Sequence, residues 1–130
     1  QGVTSGTPLH RLGGYMSRQQ GYKRKRRQVR RARLFERSFH SEERVIFIKS
    51  LPCEVTGKVT TTPCSSPVVN AHMKSRGAGG TYRDIVPLSW EVHLDFDSMG
   101  ALEFERRWGR TKQSIRDRAP HYQRLWEEQG

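Results

Sequence analysis

Residues 67–93 read PVVNAHMKSRGAGGTYRDIVPLSWEVH. The first seven residues have the β-branched character of a short strand, KSRGAGGTYR reads as a flexible loop, and DIVPL reads as a second strand whose Pro87 suits an edge. Continuing past the quoted stretch, SWEVHLDFDSM predicts a helix entered at Ser89 as N-cap and stopped at Gly100. A hairpin feeding directly into a helix therefore forms the centre of the chain, and the class is α+β.

That arrangement places chemistry at both ends of the loop. His93 and Asp97 are 97 − 93 = 4 positions apart, so on a helix they share one face and can converge on a single ion. His72 projects from the opposing strand. A neutral imidazole suits the work of a general base, and an imidazole with a carboxylate suits a hard or borderline divalent metal. Plainer readings exist for the same residues: a surface histidine, a helix-surface hydrogen bond at i,i+4, and an ordinary hairpin turn.

Upstream, SEERVIFIKSLPC (41–53) predicts a short helix capped by Ser41, with Glu42 and Glu43 in its first turn and Pro52 at its end. Residues 53–67 read as an irregular turn region. Before them, YKRKRRQVRRARLFERSFH (22–40) repeats Val29, Ala32, Phe35 and Phe39 at steps of three or four, an apolar stripe under a basic surface. Residues 1–16 have no hydrophobic period and read as a flexible arm. Downstream, ALEFERRWG turns Leu102, Phe104 or Trp108 inward and stops at Gly109, and the tail is helical with Pro120 either breaking it or opening a final turn. The expected divisions are thus an arm (1–16), a basic helix (17–40), a central domain (41–110) and a C-terminal helix (111–130).

Charge points to the partner. The 130 residues hold 24 Lys and Arg against 13 Asp and Glu, a net charge of +11, with only 33% hydrophobic residues. The sequence pI of 10.5 and mean hydropathy of −0.85 belong to a small module that binds a polyanion, most simply nucleic acid. Lys23, Arg24, Lys25, Arg26, Arg27, Arg30, Arg31 and Arg33 are placed to grip a phosphate backbone without reading its sequence. Lys74 and Arg76 are placed to touch phosphates from a loop whose Gly77, Gly79 and Gly80 let the backbone come close, although the spacing is not that of a P-loop.

No apolar run approaches the roughly 20 residues that span a bilayer, and no secretory-signal layout opens the chain, so the expected setting is cytoplasmic and away from membranes. Gln1 in place of Met points to a trimmed or processed start. Cys53 and Cys64 are too few for a disulfide scaffold or a four-cysteine zinc site, and a reducing compartment disfavours a bridge between them.

The order AH (71–72), SRGAGG (75–80), DIVPL (84–88) and His93 resembles the HNH endonuclease family, in particular its small phage-type members. The similarity extends to FIKSLPCEVTG (47–57) and GALEFERRWG (100–109), and GTPLHR (6–11) is similar to openings seen in that family. The resemblance implies a ββα-metal core with flanking helices and a basic N-terminal extension. It also implies DNA as substrate, phage packaging or recombination proteins as further partners, and the host cytoplasm as location. His72 then falls on the general base, Asp84 on the central position that orients hairpin and base, and His93 and Asp97 on the ligands of one divalent ion, Mg, Mn, Ni or Zn.

Three positions depart from the family pattern. Ala71 stands where relatives often have a ligand, and Asp84 stands for Asn. Cys53, Thr56, Ser89 and Val92 stand where many relatives hold a structural zinc with four cysteines. Packing by Phe47, Val68, Leu88, Trp90 and Phe104 is expected to replace that zinc. The resemblance also admits a second reading, a DNA-binding or packaging-associated protein that keeps the scaffold without activity.

Overall fold

The computed structural model describes the backbone of residues 7–61 and 66–129, with side chains from residue 23 onward. The chain divides into two units, one ending at Phe35 and one beginning at Glu36. Helix α1 spans Thr7–Phe39, so it starts within the segment expected as an arm and its last turn belongs to the second unit.

The first unit has no core of its own among the described residues. Eight of the eleven residues from 23 to 33 are Lys or Arg. Val29 and Leu34 are half exposed, and from the expected apolar stripe Phe39, in the second unit, packs against the core. Like charges three and four apart repel along a helix.

The second unit is α+β. Helix α2 (Glu42–Lys49) is capped as expected, the Ser41 hydroxyl accepting from the Arg44 amide at 3.2 Å. Strand β1 (Val68–His72) pairs antiparallel with β2 (Ile85–Ser89), with Val68 opposite Ser89 and His72 opposite Ile85. Helix α3 (Trp90–Ser98) follows β2 without a break, and its end falls just before Gly100. Helix α4 (Ala101–Trp108) stops at Gly109, whose φ of 73° is a conformation glycine adopts without strain. The tail forms α5 (Lys112–Arg116) and α6 (Ala119–Glu127), and Pro120 opens α6 rather than breaking it.

The sheet is the centre of the core: every β2 residue is buried, and Val68, Leu88 and Phe104 pack as expected. Trp90 does not. It lies at the first turn of α3, 46% exposed, while Val92 and Phe96 occupy the inward face of the same helix. Leu102 is likewise exposed, leaving Phe104 as the residue that α4 buries.

Glu54 holds the C-terminal helices to the sheet. Its amide donates to the Pro87 carbonyl at 2.9 Å. Its carboxylate receives Arg110 at 3.0 Å, Arg118 at 3.1 Å and the Tyr122 hydroxyl. Burial alone would raise the Glu54 carboxyl, but hydrogen bonds from Tyr122, Arg118 and Arg110 outweigh it and hold the group below its ordinary value. Burial, reinforced by the same carboxylate, pushes the Tyr122 hydroxyl well up.

Candidate functional site

Asn70 and His72 share one face of β1, while Ala71 between them is fully buried in the core. The His72 ring meets the Phe39 ring edge-on, with centroids 5.0 Å apart. His72 Nε2 lies 2.6 Å from the Ser38 carbonyl oxygen. A carbonyl only accepts, so Nε2 carries the proton and Nδ1 keeps a bare lone pair. Burial pushes the His72 pKa down and the nearby Arg76 and Arg44 add to this, against the Ser38 carbonyl and Asp84, which favour the charged form. At neutral pH the ring is a neutral imidazole.

Asp84 acts on the loop. Its backbone carbonyl accepts from the Met73 amide at 2.9 Å, tying the residue after His72 to the far end of the loop. Its carboxylate accepts from the Thr81 amide at 2.8 Å and closes a capping box on the short 3-10 turn Tyr82–Asp84. The glycine-rich segment is therefore a hydrogen-bonded structure, with Gly80 donating to the Ser75 carbonyl at 2.9 Å, and not a loose hairpin turn. A side chain at Gly80 would begin 2.0 Å from the Lys74 carbonyl oxygen, so only glycine fits there.

On α3, His93 Nε2 and Asp97 Oδ2 lie 3.2 Å apart. That separation suits a hydrogen bond, and it also suits two adjacent donors to one divalent ion at metal–ligand distances of about 2.1 Å. His72, His93 and Asp97 all line one cleft of about 620 Å³. Among the described residues no three His, Cys, Asp or Glu side chains come together as a metal-binding group, so a metal here would draw two ligands from those types. Ala71, buried in the core, supplies none. His93 Nδ1 is buried and has no hydrogen-bond partner.

Arg76 lines the cleft, its guanidinium 5.6 Å from the Phe39 ring centre. Lys74 is exposed on the same loop. Lys23, Arg24, Lys25, Arg26, Arg27, Arg30 and Arg31 lie on α1 in the other unit, exposed. The cleft also contains three residues that no sequence motif marks: Asn70, Lys112 and Arg116. Asn70 was reachable from strand alternation, two positions before His72. Nothing local singles out Lys112 and Arg116, which arrive through tertiary packing of α5.

Cys53, Thr56 and Ser89, three of the positions that depart from the resembled family's zinc pattern, come together. Cys53 is a buried free thiol whose sulfur accepts from the Thr56 amide at 3.4 Å. Burial would raise this thiol, but hydrogen bonds from Thr56, Ser89 and Val55 outweigh it and bring it below its ordinary value. Val92, the fourth position, is a fully buried core residue. Cys64 lies outside the described residues. Compared with known proteins, the chain matches no family model, no curated protein and no solved structure. Among the described residues no helix is long and apolar enough to cross a membrane.

Proposed function

We propose that the protein is a metal-dependent endonuclease of the ββα-metal kind, hydrolysing DNA phosphodiester bonds in the cleft between His72 and His93. The observation that carries this reading is the state of His72, a neutral imidazole whose Nε2–H is engaged by the Ser38 carbonyl while Nδ1 is left bare, in the same cleft as the His93–Asp97 pair. An antiparallel pair running straight into the helix that bears that pair supports it.

In this reading His72 Nδ1 takes a proton from water as the water oxygen attacks phosphorus. The bond from phosphorus to the 3′ oxygen breaks, leaving a 5′-phosphate and, once protonated by solvent, a 3′-hydroxyl. His93 and Asp97 would hold a divalent ion, which when bound stabilises charge on the phosphoryl and leaving oxygens. Asp84 is a positioning residue: it fixes the loop and leaves the imidazole aligned.

The second reading, a DNA-binding scaffold without activity, draws on a specific observation. Metal-bound histidines usually donate their other ring N–H to an acceptor, and His93 Nδ1 has none. Incubating supercoiled plasmid with Mg²⁺, Mn²⁺, Ni²⁺ or Zn²⁺, against EDTA and against His72→Ala, separates the two. Nicking that needs metal and disappears with His72→Ala supports the nuclease; binding with no cleavage under any metal supports the scaffold.

A further inference from the structure

Among the described residues of the Glu36–Gly130 unit, two pairs of cations are found without a carboxylate partner. Among the described residues the ion pairs join His93 to Asp97, Arg107 to Glu91 and Asp95, and Arg110 and Arg118 to Glu54. Lys112 and Arg116 are absent from that set, although both line the His72 cleft. They are one helical turn apart on α5, and both cap the same ring: Lys112 Nζ is 5.4 Å and the Arg116 guanidinium 5.2 Å from the centre of Phe96. A cation over an aromatic face is positioned without being neutralised. Together with Arg76 they put three fixed positive charges in a cleft whose acidic group is Asp97.

The second pair meets at Gly79, Lys74 coming from the glycine loop and Arg37 from the last turn of α1. Arg37 Nη2 and Lys74 Nζ each come within 3.9 Å of the point where a Gly79 side chain would begin. Gly79 has a φ of 94°, a conformation that side-chain-bearing residues rarely adopt, so the backbone there is bare. Two like charges brought to one bare backbone position, with no acid between them, form a place for an anion. Arg76, from the same loop, reaches into the cleft.

We propose that a phosphodiester strand lies across the His72 cleft, with phosphates held by Lys112 and Arg116 against Phe96 and by Arg37 and Lys74 over Gly79. The inference rests on the nuclease reading of that cleft and names its substrate track. The track belongs wholly to the Glu36–Gly130 unit. The basic stretch of α1 adds charge to binding.

The test is a salt titration of binding by the whole chain in EDTA, so that nothing is cut. The probes are a fluorescein-labelled oligodeoxythymidine and the matching oligouridine, with polyglutamate as competitor. Arg116→Gln and the double variant Arg37→Gln with Lys74→Gln are compared with the parent, after thermal melts confirm that each still folds. Each is expected to weaken binding of a strand by about tenfold or less and to reduce the log–log salt slope by about 1 for every phosphate that the variant no longer holds. Unchanged affinity and slope in both variants would overturn the track, as would polyglutamate displacing the strand at equal charge. A difference between the two oligonucleotides tells DNA from RNA as the source of the strand. If the parent cuts plasmid and these variants cut with unaltered KM, the track fails and the nuclease reading stands. If the parent cuts nothing while the variants lose slope, the nuclease reading fails and the track stands.

Discussion

The basic stretch of α1 and the His72 cleft are both cationic, yet they are built in opposite ways. Along α1, Lys and Arg follow one another with no packed core, and the side chains from 23 to 33 are exposed. In the cleft a few charges are each fixed by a neighbour: Lys112 and Arg116 by Phe96, Arg76 by Phe39, His72 by the Ser38 carbonyl. Density of charge attracts a polyanion from any direction, whereas chemistry requires one proton acceptor held at one angle. The difference predicts that affinity and turnover separate when the two regions are changed independently.

The largest expected effect is on turnover. His72→Ala is expected to lower cleavage by ~10²- to 10⁴-fold, the usual contribution of a general base, with DNA affinity unchanged. Plasmid-nicking rates and fluorescence anisotropy on the same preparation check it; a parallel fall in affinity would break the comparison. Because the His72 pKa is lowered, its neutral form persists as pH falls through the ordinary histidine value of about 6.5. The acid limb of the rate profile should therefore lie below that pH.

Affinity should answer to α1. Replacing Lys25, Arg27, Arg30 and Arg31 with Gln removes four exposed charges and is expected to reduce the log–log salt slope on duplex DNA by about 3 to 4. Turnover at saturating DNA should not change. Circular dichroism adds a second readout: relief of i,i+4 repulsion should raise helicity in free protein, and DNA should raise it less than in the parent. Lower kcat at saturation would place α1 in the chemistry and erase the distinction.

A third change tests what holds the cleft in shape. Glu54→Gln leaves Arg110, Arg118 and Tyr122 facing a neutral amide, and is expected to cost about 3 kcal/mol of stability. The pH dependence follows from the shifts. Glu54 has its folded pKa below the unfolded one, so its contribution is complete above the unfolded carboxylate value and is lost as pH falls through the depressed one. Tyr122 is raised, so its contribution is present below the unfolded tyrosine value of about 10 and fades at alkaline pH. Chemical denaturation across pH should give a lower plateau in Glu54→Gln, with the part of the acid fall that Glu54 contributes gone and the alkaline fall that it reinforces through Tyr122 reduced.

These residues also mark what could be read from sequence. The hairpin, the helix after it, the Ser41 cap, the Gly109 stop and the pairing of His93 with Asp97 are local patterns, and local pattern is legible in sequence. The Glu54 cluster was invisible because its partners lie 56 to 68 positions away. Lys112 and Arg116 were missed for the same reason. Arg44 reads as a helix-surface residue, yet it is fully buried, with one bond to Gln123 at 3.0 Å and its pKa drawn down to about 10 by burial. Trp90 went the other way: its size suggested the core, but its place at the first turn of α3 faces it outward.

The smallest expected effect tests the glycine loop beside the cleft. Gly79→Ala adds a methyl group that meets Arg37 and Lys74 at 3.9 Å, an ordinary contact, but at a φ of 94° it strains the backbone. Placing a side chain in a left-handed conformation costs about 1 to 2 kcal/mol. Gly80→Ala is different in kind, since its methyl would overlap the Lys74 carbonyl and the loop would have to open. If Arg37 and Lys74 hold the phosphate over Gly79 without help from the backbone, Gly79→Ala should lower the melting temperature slightly and leave turnover at saturating DNA near that of the parent. Gly80→Ala should then lower turnover by releasing Met73 and Asp84 from their bond. Equal loss of turnover in both would mean that the backbone at Gly79 touches the strand directly, beside Arg37 and Lys74, and that the loop's contact with substrate reaches the chemical step.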